Sequence, residues 1–170
     1  MINGNLVVAI VFTVLFATVL SASAKTVDVC LNPTTDARFD STGTFFTASA
    51  PVYDGGTIAQ SSSPIDCSTI TAKPIGTFFT VGGLVAGLPA SAAQDVAMVT
   101  WHFRLAKGAF DTIGPVQGNG AGGATPGQTY PQTVVGSTKG AASANGQATV
   151  TVLDPTGFVF EIKAPSGDGD

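Results

Sequence analysis

Apolar and polar positions alternate along much of this chain, and the alternation is that of β-strands. It is clearest over residues 147–153. There Ala148, Val150 and Val152 face one way and Thr149 and Thr151 the other, because successive strand side chains point to opposite faces. Asp154-Pro155-Thr156-Gly157 follows, with Pro and Gly where a tight turn favours them. Phe158, Phe160 and Ile162 then oppose Val159, Glu161 and Lys163, which predicts a β-hairpin. Residues 97–105 show the same period. Val99, Trp101, Phe103 and Leu105 share one face, and Met98, Thr100, His102 and Arg104 the other.

Further strands are predicted over 25–31, 43–50, 57–60, 74–81, 109–116 and 130–135. Polar or Gly-rich stretches at 32–41, 61–66 and 117–128 read as loops, and 82–93 as a loop or one short helix. Gly-Thr-Phe-Phe-Thr occurs at 43–47 and again at 76–80. Two copies fall short of the roughly three that a repeat architecture needs. Adjacent Phe residues point to opposite faces, so each of these strands is buried on both sides or borders a protein interface. About eight or nine short strands, with turn signals between them, predict an all-β fold. The expected form is an antiparallel eight-stranded β-barrel, which protects its sheet edges; a β-sandwich is the alternative.

Residues 1–24 read as a secretory signal peptide. Leu6 to Leu20 is apolar apart from Thr13 and Thr18, and Ser21-Ala22-Ser23-Ala24 offers an A-x-A cleavage site before Lys25. The run is short for a membrane span of about 20 residues. Residues 25–170 then form a single domain that is secreted and extracellular, a location the sequence does not separate from a periplasm, with no membrane attachment after cleavage. Two cysteines, Cys30 and Cys67, are expected to form a disulfide in such a compartment.

Charge is sparse and acidic: seven Lys and Arg against eleven Asp and Glu, ten of the acids being Asp. Asp favours turns, and 21 Gly and 10 Pro add to the β-like composition. The acidic balance argues against nucleic acid, which needs basic residues to neutralise its phosphates. One His, with both Cys expected in a disulfide, makes a poor set of zinc ligands, and no Asp-x-Asp-x-Asp-Gly loop suits calcium, so no metal is expected. There is no Gly-x-Ser-x-Gly elbow for a serine hydrolase using His102. Gly118-Asn119-Gly120-Ala121-Gly122-Gly123 matches a dinucleotide motif by letter. Thr125-Pro126-Gly127 follows it in place of a helix, so no dinucleotide or other cofactor is expected.

His102 and Arg104 remain as candidates. On one strand face they could line a cavity, with Arg104 holding an anionic group and His102 moving a proton. Asp95 could join them from a neighbouring strand. The alternative is that both face solvent or a subunit contact while Trp101 and Phe103 fill the core.

Thr133-Val134-Val135-Gly136-Ser137-Thr138-Lys139-Gly140, followed by Gly146-Gln147-Ala148-Thr149-Val150, resembles a pattern of the dirigent and allene oxide cyclase barrel families. There a strand ends in a Gly-Gly-Thr-Gly-like turn, and small residues lead into a Thr/Val strand. Gly76-Thr77-Phe78-Phe79-Thr80 and Gly82-Gly83-Leu84-Val85 look like the opening of an earlier strand of those barrels. The likeness covers roughly half of residues 25–170. It departs at Ser137, where a second Gly is usual, and at 141–145, where an aromatic and an Arg are common. The resemblance implies an eight-stranded barrel with an apolar cavity, a homo-oligomer (a trimer), and steering or isomerisation of a small molecule without a cofactor. None of those families' functional residues maps onto this chain.

Two functions are expected from these observations. The first is a secreted barrel that binds a small apolar or aromatic ligand. Tyr53, Trp101, Phe103 and the paired Phe residues would form its walls, with His102 and Arg104 as polar anchors. The second is a non-catalytic extracellular module with a packed interior. An internal cavity separates the two.

Overall fold

The computed structural model describes residues 24–40, 44–84, 96–119, 123–138, 141–143 and 145–167. These residues build nine strands: β1 (Lys25–Cys30), β2 (Ala37–Phe39), β3 (Phe45–Asp54), β4 (Gly76–Leu84), β5 (Val96–Leu105), β6 (Gly108–Gln117), β7 (Thr129–Ser137), β8 (Gln147–Val152) and β9 (Val159–Ala164). One short 3₁₀ turn, Cys67–Thr69, is the only helical element among the described residues. No helix among them is long and apolar enough to cross a membrane. The signal-peptide reading of 1–24 falls almost wholly outside the described residues.

Every strand pairing is antiparallel. The order β1-β9-β8-β7-β6-β5-β4-β3 closes through a β1–β3 pairing, which makes the eight-stranded barrel expected from the alternation. β2 is the extra strand. β3 is long enough to serve two neighbours on one edge. Its Val52–Asp54 end meets β1, and its Phe46–Ala48 stretch meets β2.

Three local expectations differ from the structure. The polar stretch 32–41 contains β2, because Ala37 and Phe39 pair with β3. Residues 57–60 form no strand. Ile58 is buried instead against the outside of the barrel, where the Asp28 carboxylate accepts its N–H at 2.8 Å. Residues 82–84 continue β4, while 85–95 lie outside the described residues.

Inward side chains follow the alternation strictly on β5. Val99, Trp101 and Phe103 are buried, and Met98 and Arg104 are exposed. The adjacent Phe residues split between faces as strand geometry demands: Phe78 is buried and Phe79 exposed. Phe78, Phe103 and Phe110 plug one end of the interior, with Phe103 and Phe110 stacked at 4.5 Å. A second, smaller apolar cluster lies outside the barrel. There Cys30, Tyr53, Ile58, Leu153 and Val159 pack with Ile65, Cys67 and Ile70. The Cys30–Cys67 disulfide, with Cα atoms 5.6 Å apart, ties that loop to β1.

Candidate functional site

Above the aromatic plug the inward residues become small. Ala48 on β3, Thr80 on β4, Ala97 and Val99 on β5, Val116 on β6 and Ala124 beyond it leave a cavity of about 450 Å³. That volume lies within the usual range of ligand pockets, roughly 300–1,000 Å³. The walls are aromatic on one side. Trp101 packs edge-on against Phe160 at 5.0 Å and tilts over Phe78 at 5.2 Å. The mouth is edged by Leu31, Ala37, Phe39, Phe46 and Leu84. Phe39 and Leu84 are exposed, so the cavity reaches the surface there.

Backbone contacts shape the rim. Ala124 donates to the Gly157 carbonyl at 2.9 Å, and Asn119 and Gly123 bond each other. Asn119 Nδ2 also reaches the Thr156 carbonyl at 3.2 Å. Gly157 has φ +77°, and a Cβ on it would collide with the backbone of Ala124. Only glycine combines that conformation with so close an approach.

The wall carries no charged side chain among the described residues. Its polar side chains are Thr80, whose hydroxyl already donates to the Thr100 carbonyl at 2.9 Å, and the indole of Trp101. An ion entering such a wall would lose its hydration without a partner.

The structure places the sequence candidates in three different settings. Trp101 lines the cavity, and Phe103 lies beneath it in the plug. Tyr53 is buried in the outer cluster beside the disulfide, not in the cavity. His102 and Arg104 sit on the outer face, because strand alternation turns them away from the side that Trp101 and Phe103 occupy. They therefore do not anchor anything in the interior. Asp95 lies outside the described residues.

The acid that His102 and Arg104 meet is Asp111. Its Oδ1 is 3.0 Å from His102 Nδ1 and 2.7 Å from Arg104 Nη1. Sequence reasoning missed this partner although the signal was present. The tight turn at Ala106-Lys107 pairs Leu105 with Gly108, and counting outward pairs His102 with Asp111. Phe79 stacks on the His102 ring at 5.8 Å from the neighbouring strand. A β-bulge opposite Asp111–Thr112 leaves Val135 unpaired and exposed. This is a surface ion-pair network, and such networks contribute little to stability. No cluster of three His, Cys, Asp or Glu side chains that could hold a metal gathers among the described residues.

Burial perturbs the Asp28 carboxyl. Desolvation raises its pKa above the ordinary 3.8; the Ile58 amide opposes the rise, and the nearby Glu161 charge adds to it. It faces the outer cluster and has no part in the cavity. Compared with known proteins, the chain matches no protein-family model and no curated protein.

Proposed function

We infer that this protein is a secreted receptacle for one small, neutral, apolar molecule, held inside the barrel. The observation that carries the reading is the cavity of about 450 Å³ with an aromatic wall and no charged lining residue among the described residues. Specific ligand pockets are mostly apolar with few polar groups, and this wall has that composition. The leader-like residues 1–24 and the Cys30–Cys67 disulfide support an oxidising, extracytoplasmic setting. The resemblance to dirigent and allene oxide cyclase barrels supports the same use of the interior. Between those two chemistries the wall favours steering by shape, since among the described residues none of its lining side chains is an acid or base that moves protons near neutral pH.

A neutral fluorescent probe, N-phenyl-1-naphthylamine, tests this by titration into the purified chain lacking residues 1–24. Val99→Phe fills the cavity and is expected to weaken binding at least about tenfold. His102→Ala, on the outer face, is expected to leave binding unchanged within about twofold. No saturable binding to the wild type, or equal binding to Val99→Phe, would overturn the reading.

A further inference from the structure

One large apolar side chain stands exposed on the outer face of each of five strands: Phe45 on β3, Phe79 on β4, Met98 on β5, Ile113 on β6 and Val135 on β7. Their exposures run from 37% to 53%. The five strands are neighbours in the sheet, so these side chains belong to one patch. The register fills it in. Phe45, Gly83, Met98 and Pro115 form one row across four strands, and Val81, Thr100 and Ile113 lie in a parallel row. A Cβ on Gly83 would meet nothing closer than 3.8 Å, which leaves a slot between Phe45 and Met98. The far side of the barrel differs. Outward positions on β8, β9 and β1 carry polar groups there, Thr149, Thr151, Glu161, Lys163 and Thr26 among them.

Five strands span about 20 Å across the sheet, and the rows from Phe79 to Gly83 add about 14 Å along it. That is close to 300 Å² in plan, the scale at which an exposed apolar patch is often functional. Contact reaching the Thr77, Arg104 and Thr133 positions around it brings the face near the roughly 600 Å² per partner at the lower end of stable interfaces. An apolar centre with a polar rim is the usual anatomy of such a contact.

Charge and topology select the occupant. Arg104 and Asp111, the charged pair beside the patch, neutralise each other at 2.7 Å. A strongly basic or acidic partner would find no complementary charge there. The chain carries a net charge of −4, and this neutral face lets two copies meet without setting like charges together. The strands bearing the patch are already paired on both sides, so a partner packs on the face and does not extend the sheet. A closed ring needs two complementary surfaces on each chain, and the polar far side supplies no second apolar one. A twofold pair needs only one surface, used by both copies. We propose that a second copy of this chain docks face to face on the β3–β7 patch about a twofold axis, in place of the trimer implied by the resemblance. The proposal does not rest on the cavity reading.

Sedimentation equilibrium of the chain lacking residues 1–24, which retains all nine strands, tests it. The apparent mass is expected to rise with concentration toward twice that of the monomer. Ile113→Glu and Met98→Glu each place a carboxylate within the patch of both copies, and each is expected to weaken the dimer at least about tenfold. Thr149→Glu adds the same charge on the far side and is expected to leave the dimer unchanged within about twofold. Near-ultraviolet circular dichroism checks that each variant is folded. Should one patch variant fail to fold, the other carries the comparison. A monomer at every concentration overturns the proposal, and pelleting of that monomer with phosphatidylcholine vesicles would assign the face to a bilayer instead. A dimer kept by both patch variants, or weakened equally by Thr149→Glu, also overturns it, as does a trimer.

Discussion

Asp28 shows how much one residue's setting decides. Its Oδ2 accepts from Ile58 at 2.8 Å, its Oδ1 has no hydrogen-bond partner among the described residues, and Glu161 lies directly across on β9. Burial raises its pKa above 3.8, so the folded carboxyl keeps its proton at a pH where the unfolded one has lost it. The folded state then binds more protons than the unfolded state, and stability falls as pH rises from about 3.8 through the folded value. Asp28→Asn keeps the shape and removes the charge. Denaturant unfolding at pH 4 and pH 7 is expected to show a larger loss of stability in the wild type than in the variant. An equal loss would contradict this account of Asp28. At this scale the sequence was partly legible. The split of residues 98–105 between two faces could be read directly. The partner of His102 depends on the pairing register, which sets Asp111 and not Asp95 beside it.

Among the elements, the segment between β3 and β4 depends most on a covalent tie. It has no strand of its own, and it is held by the outer apolar cluster, by the Asp154 carboxylate accepting from Ile65 at 3.2 Å, and by the disulfide. Cys30 and Cys67 are 37 residues apart, and closing such a loop stabilises by about 4 kcal/mol in the chain-entropy model. Cys30→Ser with Cys67→Ser is expected to lower unfolding stability by about 3–4 kcal/mol. Ligand binding should survive below the new melting temperature, because the cluster lies outside the barrel. Loss of binding while near-ultraviolet circular dichroism stays native would contradict that separation. The long alternating strands were legible because their pattern is local. β2 was not: three residues within a polar stretch become a strand only because β3 offers them an edge. The misreading of 57–60 has the same origin, since Ile58 is buried by distant residues.

For the whole molecule, antiparallel all-β architecture followed from period-2 alternation and turn chemistry alone. The cavity did not, because it arises from how residue sizes stack once the register is set. Phe78, Phe103 and Phe110 close one end, while Ala48, Ala97, Val99, Val116 and Ala124 leave the other open. These residues come from elements far apart in sequence, and no single stretch announces a void. The same rule moved His102 and Arg104 outside. A site chosen by rarity of residue type fell on the solvent face, and the site chosen by geometry is nearly free of polar side chains.

The most direct test of the central claim is diffraction from crystals pressurised with xenon, which enters dry apolar cavities. The expected result is a xenon peak within contact distance of Val99, Trp101 and Phe160. An interior that takes up no xenon, with side chains closed over that space, would contradict the barrel as a receptacle.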